Sequence, residues 1–231
     1  MTPLARSPAA PLPASTSPAP QPGPVIDAPA VRAALRRCCR IVERHAAWLT
    51  RLDAVLGDGD HGDNLVIGFR AVDAMLAELP EDVPPGELLR AVGHRLVAAV
   101  GGASGPLYGT AFLEAGAVLG DAPTAAADQL GPMLSAAAAG LARRGRCAIG
   151  DKTILDTIGP AAHVLERELA AGAPPDRAYG AAVRAGARGM WSTRPLVARR
   201  GLAMRLGERA IGQLDPGAVS CLLLLRAFGD D

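Results

Sequence analysis

Four aspartates and a histidine lie within fourteen residues, Arg-Leu-Asp-Ala-Val-Leu-Gly-Asp-Gly-Asp-His-Gly-Asp-Asn at positions 51–64, interrupted by three glycines. Like charges a few ångströms apart repel, and glycine weakens any helix that carries them, so the stretch requires a compensating cation. Asp53, Asp58 and Asp60 can converge on one: Asp53 falls at the end of a predicted helix, and the glycines flanking Asp58 let the chain fold back. Carboxylate oxygens alone select Mg²⁺ or Ca²⁺ over zinc. The stretch is not an EF-hand: counted from Asp58, the sixth position is Asp63 rather than glycine and the twelfth is Phe69 rather than glutamate. The competing interpretation is an ordinary solvated acidic turn. Beside a bound cation, His61 and Asn64 are natural phosphate contacts at the start of the next helix; taken singly they are a turn histidine and an N-cap. Asp63 fits the cap of that helix better than it fits a ligand.

Three further stretches share this character. Gly101-Gly102-Ala103-Ser104-Gly105-Pro106 is a glycine-rich loop opening a helix, with Ser104 placed as a cap or a phosphate ligand. It is not a Walker A loop, because no Gly-Lys-Ser/Thr follows, and not a nucleophile elbow, because Pro106 stands where the second glycine belongs. A helix–helix turn in which glycine permits close packing accounts for it equally well. Gly150-Asp151-Lys152-Thr153 is an acidic helix start, and Asp215-Pro216-Gly217 is a turn; neither is specific in isolation.

The elements that must carry these residues read as helices. From Asp27, Val31, Leu35, Cys38, Val42, His45, Leu49 and Leu52 recur in steps of three and four, which predicts a first helix ending near Gly57, with His45 a core or near-core histidine. Further helices are predicted over 64–79, 86–100 and from Pro106 to Leu119. Thr124 is expected to cap a fifth that ends near Arg144, Gly150 to open a sixth, Pro174 and Pro175 to start a seventh to about Met190, and Asp215 to open an eighth to Phe228. No segment alternates with the period of two that marks a strand. Eight antiparallel helices joined by short loops describe an all-α, single-domain up-and-down bundle or barrel. In it, the loops after helices one, three and five and the turn before helix eight fall at one end. Each of these is a helix N-terminus suited to anions.

Composition agrees. The 231 residues are 49% apolar but only 3% aromatic, and the net charge of +1 excludes the electrostatic footprint of a nucleic-acid or anionic-membrane binder. The longest apolar run, Cys221 to Leu225, stops at Arg226, far short of a membrane span. Four cysteines without a C-x-x-C pair, and no signal-like stretch, predict reduced buried thiols and a cytoplasmic protein. Residues 1–26, rich in Pro and Ala, are expected to form a disordered tail, leaving 27–231 as the folded domain.

Gly-Asp-Gly-Asp-His-Gly-Asp-Asn at 57–64, Gly-Gly-Ala-Ser-Gly-Pro-Leu-Tyr-Gly-Thr at 101–110, Gly-Asp-Lys-Thr-Ile-Leu-Asp at 150–156 and Leu-Gly-Glu-Arg-Ala-Ile-Gly-Gln-Leu-Asp-Pro-Gly at 206–217 together resemble the successive signatures of the DhaL family, the nucleotide-binding subunit or domain of dihydroxyacetone kinases. The resemblance covers residues 29–228 and implies an eight-helix barrel with Mg–ADP or Mg–ATP at one end. It implies that Asp53, Asp58 and Asp60 hold two Mg²⁺ ions. His61, Asn64, Ser104 and Gly105 would then contact phosphate, and Gly150 with Asp215, Pro216 and Gly217 would frame base and ribose. Where the family tends to have Gly-Arg-Ala-Ser over the nucleotide, this chain has Gly201-Leu202-Ala203-Met204, so Arg199 and Arg200 become the candidate replacements for the arginine. Further implications are a separate DhaK-like subunit holding a hydroxyketone through a histidine, without which the chain would be inactive, and possibilities of a homodimer and of a phosphotransferase protein that rephosphorylates bound ADP. A nucleotide-loaded regulatory or adaptor module is the alternative of a different class.

Overall fold

A computed structural model describes residues 25–229 of the chain. Eight α-helices occur among the described residues: α1 Ala28–Leu56, α2 His61–Glu78, α3 Pro85–Ala99, α4 Ser104–Leu119, α5 Leu130–Gly145, α6 Leu155–Ala170, α7 Pro175–Ser192 and α8 Pro216–Phe228. Each packs on its neighbours in sequence and α8 returns to α1, which closes the ring of an up-and-down barrel.

Local sequence accounts for most of the boundaries. Asp27 caps α1 by accepting from the Ala30 N–H at 2.8 Å, and Pro29 lies in the first turn, where its missing N–H is not needed. The stripe predicted for α1 is inward, with Leu35, Cys38, Val42 and Leu49 buried and His45 at its margin, its Nδ1 2.9 Å from the Ile41 carbonyl. The second helix begins at His61, three residues before the expected start, because the Asp53 carboxylate rather than Asp63 satisfies its first N–H groups. Asp63 is therefore an exposed residue of the first turn and not the cap. The other end of α2 is also held from α1: the buried Arg32 guanidinium donates to the carbonyls of Leu76 at 2.8 Å and Leu79 at 3.2 Å. An acid at its N-terminus and a base at its C-terminus both complement the dipole of α2.

The leucine run that stops short of a membrane span is the inner helix α8, buried from Ala218 through Leu225. Among the described residues no helix is long and apolar enough to cross a membrane. Cys38, Cys39 and Cys221 are buried free thiols, as expected, while Cys147 is only partly covered.

Two short strands depart from the all-helical expectation. Val25–Asp27 (β1) pairs antiparallel with Thr124–Ala126 (β2), Ile26 opposite Ala125. Thr124 is thus a strand residue rather than a cap, and α5 begins six residues later, after a 3-10 turn at Ala127–Gln129. The driving force is Ile26, only 8% exposed and part of the main core. Val25 and Ile26 therefore belong to the fold; the remainder of the expected tail, residues 1–24, lies outside the described residues. Deleting residues 1–24 is expected to leave the melting temperature unchanged. Deleting 1–27 removes the Ile26 anchor, about 1.5–3 kcal/mol, and the Asp27 cap, about 1 kcal/mol. A lowering of several degrees in a thermal melt should follow.

Candidate functional site

The last turn of α1 presents Asp53 to the loop that follows it. Its Oδ2 accepts the backbone N–H of Asp60 at 3.0 Å and of His61 at 3.2 Å, so the side chain is fixed by the helix it caps. Its Oδ1 faces Gly57, where any side chain would collide with it; glycine there is required by close approach. Oxygens of Asp53, Asp58 and Asp60 lie within 4.8 Å of one another, Asp53 nearly buried and the other two exposed. The Asp60 carboxyl is held above its ordinary value, first by desolvation and then by the charges of Asp58 and Asp53, with a hydrogen bond from Asn64 opposing. Three convergent hard donors that repel one another in the absence of a cation fit Mg²⁺ or Ca²⁺.

Next to the acids, a cleft of about 390 Å³ is walled by residues from all four loops at this end, among them His61, Ser104, Lys152, Arg200, Asp215 and Gly217. Ser104 is the first residue of α4, whose free N–H groups open on it. Gly105 is buried behind it, since a side chain there would meet the Val100 carbonyl. The His61 ring lies between two hydroxyls, Nδ1 3.2 Å from Ser104 Oγ and Nε2 2.8 Å from Ser220 Oγ. Ser220 donates to the Pro216 carbonyl at 2.9 Å, so its oxygen accepts from His61 and from the Tyr108 hydroxyl at 2.6 Å. With Ser220 donating in this way, the imidazole proton sits on Nε2 and Nδ1 accepts from Ser104. Burial lowers the His61 pKa, consistent with the neutral ring. The ring thus orients Ser104, and both of its nitrogens are engaged.

The loop between α5 and α6 is held by a residue that does not stand out in isolation. Asp156 accepts from Gly150 N–H at 2.6 Å and Thr153 N–H at 2.7 Å, while Thr153 Oγ1 accepts from Leu155 N–H at 3.2 Å. The sequence Thr-x-x-Asp is that of a capping box, and Asp156 makes its half of it, while the threonine hydroxyl takes the N–H of Leu155 instead of that of Asp156. Gly150, at φ 95°, does not itself line the cleft; Lys152 and Thr153 do, while Asp151 holds the lining Arg200 by Oδ2 at 3.4 Å. Of the two candidate arginines, Arg200 is the one in the wall, alongside Arg144; Leu202 is exposed. Asn64 sits one turn into α2, bonded to Asp60 rather than lining the cleft.

Asp215 caps α8 by accepting from Ala218 N–H at 2.7 Å, with Pro216 buried in the first turn and Gly217 at the cleft. Burial pushes the Asp215 carboxyl up to about 7, against the Ala218 N–H and the charge of Lys152. The folded chain therefore holds this proton more tightly than the unfolded chain. The stabilisation is complete below about pH 4 and lost as pH rises to about 7. Asp215→Asn keeps a capping oxygen without the titration, so its melting temperature relative to the parent is expected to climb between pH 5 and pH 8. A pH-independent difference would count against the buried carboxyl.

Comparison with known proteins places this geometry. The model of the DAK2 domain matches residues 55–230. The chain is 43% identical over 189 residues to "PEP-dependent dihydroxyacetone kinase 2, ADP-binding subunit DhaL" of Listeria innocua, covering 81% of this chain and 87% of that protein. It is 35% identical over 193 residues to the ADP-binding subunit DhaL of the PEP-dependent dihydroxyacetone kinase of Escherichia coli, covering 83% and 91%. Among solved structures it superposes on the dihydroxyacetone kinase from C. freundii in complex with AMP-PNP and Mg²⁺ with a TM-score of 0.65 and 25% identity, over 96% of this chain and 37% of that one. The chain therefore belongs to the DAK2 family of DhaL-type kinase subunits and domains.

Proposed function

We propose that the chain binds Mg–ADP or Mg–ATP at this rim and supplies the nucleotide half of a dihydroxyacetone-type kinase, with the hydroxyketone held on a separate DhaK-like subunit. The observation that carries this is the meeting of Asp53, Asp58 and Asp60 within 4.8 Å, next in sequence to His61, which lines a cleft together with Ser104 at the N-terminus of α4. In this proposal Asp53, Asp58 and Asp60 hold two Mg²⁺ ions, whose charge would neutralise the nucleotide phosphates. Ser104 and the free N–H groups of Ser104 and Gly105 bind phosphate, with His61 and Asn64 keeping Ser104 and Asp60 in place. Arg200 and Arg144 add positive charge, and the turns at Gly150 and at Asp215, Pro216 and Gly217 frame base and ribose. Residues 25–229 act as one nucleotide-binding unit in the cytoplasm. Phosphoryl transfer needs positioning and charge neutralisation more than a covalent participant, and the rim offers both.

A relay in which tightly held ADP is rephosphorylated by a phosphotransferase protein is favoured over free ATP turnover. Relatives of similar length in Listeria, E. coli and Lactococcus lactis are named PEP- or PTS-dependent ADP-binding subunits. Native mass spectrometry of the purified chain should then find ADP retained. A chain that purifies empty and turns over repeatedly with ATP and a DhaK-like partner would reverse that preference.

Asp58→Ala and Asp60→Ala are each expected to weaken Mg-dependent ADP binding at least a hundredfold in calorimetry, with the helical far-UV signal unchanged. Parent-like affinity would remove the metal assignment.

A further inference from the structure

Lys152 has no role in the proposal above, yet it is one of the most enclosed side chains among the described residues, 1% exposed. Its backbone is left-handed at φ 63°, a conformation that strains a non-glycine residue. Burying an ammonium is costlier still unless its N–H groups are bonded. The compensation is specific: Nζ donates to the Thr193 carbonyl at 2.7 Å and to the Gln213 carbonyl at 2.6 Å. Burial lowers the pKa of the amine, and the carboxylates of Asp215 and Asp156 oppose that shift.

Those two carbonyls are the two ends of one excursion. Thr193 directly follows α7, and Gln213 stands two residues before the cap of α8. Between them, residues 194–212 carry Arg200 and Gly201 into the cleft wall. The same neck is closed by Gly212 N–H to Arg194 O at 2.8 Å, Arg194 Nε to Gly212 O at 3.0 Å and Asp215 N–H to Thr193 Oγ1 at 3.2 Å. Beyond the neck the excursion rests on a small cluster, Ala198 and Ala210 against Leu56, and on Arg199 N–H to Asp151 O at 3.0 Å. Two alanines, with Ala203 and Leu206 only partly covered beside them, bury little apolar area, so the neck has to supply much of the order.

We propose that Lys152 is a positioning residue: by bridging the Thr193 and Gln213 carbonyls, its amine closes the neck of the 194–212 segment and sets it as the wall of the nucleotide cleft. What the wall does rests on the nucleotide proposal; how it is held does not. The segment contains Arg199, Arg200, Arg205 and Arg209, none of them followed by proline, so trypsin reads its order directly. Lys152→Met keeps the stem and removes the amine. It is expected to speed native-state cleavage within 194–212 at least tenfold at an unchanged far-UV signal, and to weaken Mg–ADP binding at least tenfold, with Lys152→Arg recovering part of both. A folded Lys152→Met chain cleaved at the parental rate overturns the neck. One cleaved faster but binding Mg–ADP like the parent overturns the positioning role. If the parent itself binds no Mg–ADP, the nucleotide proposal fails while the protease arm still decides the neck. Should Lys152→Met not fold, hydrogen exchange on the unmodified chain decides: the Gly212 and Asp215 amides should exchange at least a hundredfold more slowly than those of Gly201 and Leu202, and equal rates overturn the proposal.

Discussion

The carboxylate of Asp53 has two oxygens with different obligations. Oδ2 takes the first N–H groups of α2, which would otherwise be orphaned at the mouth of the barrel. Oδ1 faces Gly57, and the carboxylate lies within reach of those of Asp58 and Asp60. A helix cap and an acidic cluster share one side chain, so the start of α2 and the spacing of the acids cannot vary independently. Arg32 completes the arrangement by holding the far end of α2 from the same helix α1. The acids are carried on a two-helix unit fixed at both ends, which suits a site whose like charges push its members apart.

From that unit the polar contacts spread around the rim. His61, the first residue of α2, joins Ser104 of α4 to Ser220 of α8, and Tyr108 closes on Ser220 from α4. His61, Tyr108 and Ser220 are buried, where a partner is obligatory, so three helices are held at fixed mutual positions by hydrogen bonds as well as by packing. The fourth side of the rim is organised differently. There Asp156 gathers the Gly150–Thr153 turn, and backbone and side-chain bonds from Asp151 and Lys152 reach across to residues 193–213.

The helices and the shared end of the barrel were legible because periodicity, glycine and proline positions are local signals. The stripe from Val31 to Leu49 and the Asp215-Pro216 start of α8 needed nothing from the rest of the chain. The start of α2 was not legible, since its cap comes from a different helix and no local residue announces it. Thr124 failed for the same reason: as a helix cap it is locally favourable, but pairing with β1 and burial of Ile26 outweigh it. At the site, the acids and Ser104 stood out by type. Asp156 was readable as a capping-box acid, whereas Lys152, a lysine in a polar turn, gave no hint of burial, because its partners are carbonyls some forty and sixty residues away.

The strand pair β1–β2 bears on how the molecule can be handled and joined to others. It lies at the start of α1, whereas the acids lie at its end; a helix of 29 residues at about 1.5 Å per residue separates the two by roughly 43 Å. Helix α8 runs the opposite way along the barrel, from its cap at the rim to Phe228. Whatever is attached before Val25 or after Gly229 therefore starts from the pole opposite the cleft. An affinity handle, a surface tether or a fused domain joined directly at Val25 or Gly229 starts away from the cleft.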